Sequence, residues 1–150
     1  MRYTLVLCVI AAAFSGCMIQ NSKQKLSTSL QKYNVALRWG ATEWAAEHVA
    51  PESREALLGR RSEFDDIRVS GCTIGRVKLK GKDQAIATVH IEWYSGRTLS
   101  LRTSVIEQKW KLRSGKWLIV SQRLVKGAPC PLFLPSNPKV RISSLDGRKR

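Results

Sequence analysis

Ala85-Ile86-Ala87-Thr88-Val89-His90-Ile91-Glu92-Trp93 is the stretch whose reading decides the fold. Ala85, Ala87, Val89, Ile91 and Trp93 fall on every second position, the period of a strand with one face in a core. His90 and Glu92 take the other parity. Upstream, Ile67, Val69, Val77 and Leu79 alternate in the same way. Downstream, Leu99, Leu101, Thr103 and Val105 share a parity, but Trp110 and Leu112 sit on the opposite one. That switch predicts a bulge between Val105 and Gln108, or burial of both faces. A last run, Lys116 to Val125, is apolar on both parities at Trp117-Leu118-Ile119-Val120. Gly81-Lys82-Asp83, Ser95-Gly96 and Ser114-Gly115 provide turns between the runs. The pattern predicts a four-strand antiparallel meander.

Before the strands the period is helical. Leu26, Leu30, Tyr33, Leu37, Gly40, Trp44 and His48 recur at steps of three and four, one face of a helix from Ser27 that Gly40 bends or splits. His48 falls in its last turn, where a protonated ring is favoured, and reads as a cap rather than a catalyst. Pro51 suits the first turn of a second helix, with Glu52 and Glu55 at its positive end; Gly59 closes it, and Arg60 and Arg61 follow. Helices ahead of a meander make an α+β layer pair.

Tyr33-Asn34-Val35-Ala36-Leu37-Arg38-Trp39-Gly40, Ala45-Ala46 and Val49-Ala50-Pro51-Glu52 resemble the helical opening of small NTF2-like (SnoaL-like) bacterial lipoproteins. Val89 to Tyr94, and Gln108-Lys109-Trp110 with Gly115-Lys116-Trp117, resemble their later strands. The resemblance covers residues 27–126 and implies a cone, in which a strongly curved sheet wraps the helices and leaves a cavity at its open end. The chain lacks the extra hairpin that the fuller pattern has between its helices, so a cystatin-like helix on a sheet is the alternative.

The first residues have the parts of an export signal: Arg2, an apolar run from Leu5 to Phe14, then Ser15 and Gly16. Such a run is too short to cross a ~30 Å hydrocarbon core as a helix but matches a signal core of about 7–15 residues. Phe14-Ser15-Gly16-Cys17 resembles the lipobox of bacterial lipoproteins, with Phe14 where Leu is usual. The resemblance implies that the Cys17 thiol takes a diacylglycerol, that the signal is cut off before it, and that a further acyl chain such as palmitate joins the new terminus. One acyl chain holds a protein to a membrane only marginally; several make the attachment durable. Met18, in place of Asp, implies the outer membrane, facing the periplasm. An ordinary secretory signal cut near Ala13 or Gly16 is the alternative. The expected organisation is a signal peptide over 1–16 and a lipidated tether over 17–26 with Lys23 and Lys25. The α+β domain follows over 27–126, then a basic arm over 127–150. That arm carries Pro129, Pro131, Pro135 and Pro138, which forbid regular pairing, and Leu132-Phe133-Leu134, which could pack on the domain; a disordered tail over the last ten residues is the alternative.

The 150 residues hold 26 Lys and Arg against 11 Asp and Glu, a formal charge of +15 of which only Arg2 lies in the signal. Such an excess speaks to partners rather than fold. Behind an export signal those partners are lipid head groups, lipopolysaccharide phosphates and cell-wall carboxylates, and nucleic acid is not expected. With Cys8 removed and Cys17 lipidated, Cys72 and Cys130 remain. They either pair as a disulfide, worth roughly 4 kcal/mol for so long a loop, or stay as two separate buried thiols. Two histidines and no close cysteine pair leave no zinc spacing, and no cofactor is implied.

Strand parity puts Arg76, Lys78 and Lys80 opposite Val77 and Leu79, and Lys109, Lys111 and Arg113 opposite Trp110 and Leu112. If the turns give a shared register, Lys80, Lys82 and Lys109 approach one end of the sheet, and Arg76, Lys78 and Lys111 join them as candidates for a basic patch. They either grip an anionic partner or form a solvated face that blunts the sheet edge. The NTF2-like resemblance implies that a catalytic relative would use His, Asp or Tyr in the cavity. His90 points the other way by parity, and Asp65, Asp66 and Tyr94 have no supporting spacing. Nucleophile elbow, phosphate loop, metal motif and carboxylate pair are all missing. The expectation is therefore a non-catalytic, membrane-anchored envelope lipoprotein that binds a protein partner or an anionic envelope component. The rival is a ligand-binding or catalytic cone lined by Trp39, Trp44, Trp93 or Tyr94.

Overall fold

The structure, a computed structural model, describes residues 21–133. The signal over 1–16, Cys17 and residues 134–150 lie outside the described residues.

Helix α1 is described over 21–38. It buries Leu26, Leu30, Tyr33 and Leu37, four of the periodic positions, against the sheet. Because it is already helical at residue 21, and Leu26 belongs to the core, the domain begins inside the stretch expected as tether. Gly40 ends α1 with φ of 72°. Gly40 N–H donates to Leu37 O at 3.2 Å and Ala41 N–H to Ala36 O at 2.8 Å, the paired bonds of a helix closed by a left-handed residue. The single face expected from Ser27 to His48 therefore divides. Helix α2 (Thr42–Ala46) leaves at a new angle, buries Ala45 and Ala46, and turns Trp44 out to 73 % exposure. Helix α3 (Pro51–Glu63) has Pro51 in its first turn as expected, yet runs through Gly59, so Arg60 and Arg61 form its last turn.

The meander is β1 (Ile67–Lys80), β2 (Gln84–Ser95), β3 (Arg102–Arg113) and β4 (Lys116–Gly127), in spatial order β1-β2-β3-β4, all antiparallel. The helices pack on its inner face, giving the expected α+β architecture. Ala85, Ala87, Val89, Ile91 and Trp93 are all buried, and His90 and Glu92 are exposed. The parity switch expected in β3 does not occur. Ser104, Ile106, Gln108 and Trp110 form one unbroken inward row, disguised by two polar members, and Leu99 and Leu101 lie exposed before the strand begins. The bulges lie on β1 and β4, one of them opposite Val105 and Ile106, within the stretch where a bulge of β3 itself was expected. β1 shifts register against β2 between Val69 and Gly71 and again between Ile74 and Val77. In the β3–β4 pair the shifts come at Val105/Ile106 and Lys109/Trp110, with the extra residues on β4. Each extra residue bends its strand and raises the local twist, which curls a four-strand sheet round one helix. The curl brings Cys72 of β1 and Cys130, beyond β4, within electrostatic reach of the same Tyr33 hydroxyl.

Two contacts close the open side. Val49 forms a parallel bridge to Ile119, with Ala50 N–H donating to Ile119 O at 2.9 Å and Ile119 N–H to His48 O at 2.8 Å. Both faces of β4 are covered near this bridge, which is why Trp117, Leu118 and Ile119 are all buried. Past β4, Gly127 adopts φ of 91°, and a Cβ there would stand 2.2 Å from Thr103 O. This turn delivers Cys130, Leu132 and Phe133 into the core, so the start of the expected arm belongs to the domain. Pro131 O accepts from Arg60 Nη1 at 3.1 Å and ties that segment to α3.

Candidate functional site

Side chains fill the space between the second half of α1 and the sheet, while nearer its start an open cleft of about 530 Å³ lies between Leu26 and Leu30 and the Ile74, Val77 and Leu79 side of β1. Tyr33 meets Trp110 edge to face at 5.9 Å between centroids. Beside them Asn34 Nδ2 donates to Leu30 O at 2.8 Å, and Gln108 Nε2 donates to Asn34 Oδ1 at 3.0 Å. Gln122 lies beside the Tyr33 phenol, which burial pushes far above its ordinary pKa, so it stays protonated. Asn34, Gln108 and Gln122 are each buried, and sequence reasoning missed all three. Their signal was present as polar residues on otherwise apolar rows. Where Leu37, Leu57 and Leu132 meet, the remaining space is only about 10 Å³.

Of the four aromatic residues expected to line a pocket, Trp39 and Trp44 come together and Trp93 and Tyr94 do not join them. Trp93 is buried on the inner face, donating from Nε1 to Ser104 Oγ at 2.8 Å, while Tyr94 takes the outer parity. Trp39 is 76 % exposed, under the Arg38 guanidinium at 5.6 Å from its ring centroid. With Trp44, Val35 and His48 it borders an open groove of about 580 Å³ on the outside of the helices.

The acid–base candidates are also apart. His90 is exposed on the outer sheet face. Asp66 accepts from Ser95 Oγ at 2.6 Å and pairs with Arg97 at 3.5 Å, a clamp between the start of β1 and the end of β2. The Ser95 bond chiefly, with the Arg97 charge, holds its carboxyl below the usual range. His48 is half-buried, and burial, then Lys32, lowers its pKa. The expectation of a favoured positive ring is thus corrected: desolvation and a neighbouring cation outweigh the helix terminus.

Cys72 and Cys130 are free thiols. Burial pushes Cys72 up to about 11 and Cys130 up to about 12. Neither is a nucleophile at neutral pH, because the reactive form is the thiolate.

The basic residues do come together. Lys78 lies across from Ile86, which lies across from Lys109; Lys80, Gln84 and Lys111 form the next row. Strands about 4.8 Å apart and a rise of about 3.3 Å per residue set the four lysines at the corners of a patch roughly 10 by 7 Å. The patch lies on the outer sheet face, with Lys82 in the adjoining turn and Arg76 just beyond, at the bulge. None of the described lysines makes a hydrogen bond or ion pair. Blunting an edge explains lysines on β1, an edge strand, but not Lys109 and Lys111, which are on interior β3.

Round the corner, Lys25 on α1, His48 and Arg54 border an open groove of about 860 Å³ with Lys116 on β4. Glu47 is the one carboxylate lining it. Lys25 was expected in a tether and Lys116 at the start of the last strand; only the docking of α1 beside the β3–β4 hairpin joins them.

No protein-family model matches the chain, and no curated protein is similar to it. Solved structures are. An NTF2-like protein with a cystatin-like fold from Novosphingobium aromaticivorans superposes with a TM-score of 0.53 at 17 % identity, over 81 % of this chain and 92 % of that one. An NTF2-like protein from Cytophaga hutchinsonii gives 0.55 at 14 % identity, over 68 % and 95 %. An NTF2-like protein of unknown function from Shewanella oneidensis gives 0.52 at 13 % identity, over 68 % and 97 %. Likeness at such identities speaks to the fold alone: helices on a four-strand antiparallel sheet in the NTF2-like, cystatin-like arrangement.

Proposed function

We propose that this protein is a non-catalytic lipoprotein of the bacterial envelope, anchored through acylated Cys17 in the outer membrane and facing the periplasm. Its domain uses a basic surface to bind an anionic envelope component. The observation that carries the binding half is the set of four lysines, Lys78, Lys80, Lys109 and Lys111, on one open sheet face, none of them in an ion pair and the nearby Glu107 taken by Arg123. Four like charges so close repel one another, a cost with no return inside the domain, and an anionic partner would relieve it. The packed Tyr33–Trp110 and Asn34–Gln108 contacts support a binding module over a ligand cone or an enzyme, because among the described residues His48 and Glu47 border open grooves rather than an enclosed cavity.

Mass spectrometry of the membrane-extracted protein tests the anchor, with the expected result a terminus at Cys17 carrying acyl chains. Unmodified Cys17 would refute it. Binding to phospholipid vesicles, lipopolysaccharide and cell-wall sacculi tests the rest. At least one should bind in a salt-sensitive way and weaken with K78Q/K80Q/K109Q/K111Q. Wild-type binding by that variant would refute the assigned surface.

A further inference from the structure

Arginines and lysines divide the work in this domain. Every described arginine except Arg76 is engaged. Arg60 and Arg61 donate to backbone carbonyls, Arg97 and Arg113 pair with Asp66 and Glu52, Arg102 lies over the Trp93 ring, and the others are held comparably. No described lysine is engaged in this way. The planar guanidinium suits fixed multiple bonds, whereas the ammonium is a hydrated point charge that acts at a distance.

The free charges are also segregated. All the described lysines but Lys32 and Lys126 lie at the end of the domain where α1 begins. Lys23 and Leu26 border a cleft with Val77 and Leu79 on one side, and Lys25 borders the groove with Lys116 on the other. The two hairpin turns, at Gly81 and Gly115, are at this same end. Among the described residues the carboxylates there are Asp83, Glu47, and Glu52, which Arg113 occupies, with Glu107, which Arg123 occupies, one step beyond Lys109. Glu63, Asp65, Asp66 and Glu92 stand at the opposite end, where β1 starts and β2 finishes.

Position along the chain gives this polarity its meaning. α1 is fixed in the domain: Leu26 is in the core, and Trp117 Nε1 donates to Ser22 O at 3.1 Å. Only four steps of chain separate Cys17 from residue 21, a span of at most about 14 Å in any conformation. A domain held so close by that end cannot present another end to the membrane.

We infer that the lysine-rich end of the domain, from the sheet-face patch round to the Lys25–Arg54–Lys116 groove, docks on the anionic head groups of the membrane leaflet that holds the anchor. The inference rests on the proposed lipidation for its orientation and names the partner of the proposed basic surface. Docking turns the opposite end of the domain, with its acidic cluster, away from the membrane.

The test uses the mature chain with Cys17→Ser, so that docking is read without the anchor. It is mixed with vesicles of phosphatidylcholine alone or containing phosphatidylglycerol, at about 0.1 M and about 1 M salt. Binding should appear only with the anionic lipid and at low salt. A lysine near such a surface contributes about fivefold in affinity, so K78Q/K80Q/K109Q/K111Q should lose two to three orders of magnitude. The control K32Q/K126Q should lose less than about tenfold. Bound vesicles should also shield Lys78 and Lys109 from amine acetylation while Lys126 stays reactive. Equal losses in the two variants, binding to neutral vesicles, or capture by sacculi but not vesicles would each overturn the inference. Acylated Cys17 with no lysine-dependent docking leaves the anchor standing and removes the docking. Docking with an unmodified Cys17 does the reverse.

Discussion

Asn34 and Gln108 offer a test of whether the polar centre of this domain is core or site. The two amides face each other between α1 and β3, both buried, joined by Gln108 Nε2 to Asn34 Oδ1 at 3.0 Å and by a longer reciprocal contact of 3.4 Å. Gln108→Met removes the donor to Asn34 Oδ1, leaving that oxygen buried and unpaired, at a cost of about 1–3 kcal/mol. Asn34→Leu strands the Gln108 amide in the same way and costs a similar amount. The double variant leaves neither group stranded and keeps roughly the same volume, so it should lie within about 1 kcal/mol of the parent. The expected coupling is thus about 2 kcal/mol or more, read from urea midpoints at constant m-value. Additivity within about 0.5 kcal/mol would refute the hydrogen-bonded pairing. A single variant more stable than the parent would refute the core reading, because polar groups kept at a cost to stability mark a site built for something else.

Three further outcomes follow from burial and charge. Trp39→Ala and Trp44→Ala, at exposed positions, should each shift stability by less than about 1 kcal/mol, against about 3–5 kcal/mol for Trp110→Ala, compared by thermal melts. Below its ordinary pKa of 6.5, His48 should take up a proton more readily in the unfolded chain than in the folded one. Stability should therefore fall as pH drops from above 6.5 towards the lowered folded value, and His48→Gln should flatten that part of the urea-midpoint profile. Cys72 and Cys130 should resist thiol reagents at neutral pH in the folded protein, with labelling appearing only across the unfolding transition.

The layer order and the strand count were legible because both periodicities are long. β2 alternates over its whole inner row, and α1 keeps its apolar positions from Leu26 to Leu37. The sequence misled where polar residues took inward places. Ser104 and Gln108 made β3 look as though it changed face, when it keeps one parity and the bulges lie in β1 and β4. Ser104 is inward because it serves Trp93 Nε1, and Gln108 because it serves Asn34 on α1. Each partner is remote in the chain, so no local pattern announces it. Gly40 was legible as an interruption, but not the angle at which α2 leaves, and that angle decides that Trp44 faces outward rather than into a pocket.

The basic surface was half legible for a related reason. Alternation within β1 and β3 put Lys78, Lys80, Lys109 and Lys111 on one face, and the turn lengths brought them to one end. Lys25, Arg54 and Lys116 belong to three elements joined only by tertiary packing, so their shared groove was invisible in one dimension. The chain does carry a one-dimensional trace of the division, in which cation is used where. A lysine held by no carbonyl or carboxylate costs the fold its repulsion from other lysines, which grows as they cluster. Random placement would spread them over the surface, yet here they gather at the end from which the chain leaves toward Cys17. Electrostatics within the domain opposes that arrangement, and the proposed docking on an anionic surface would offset the repulsion.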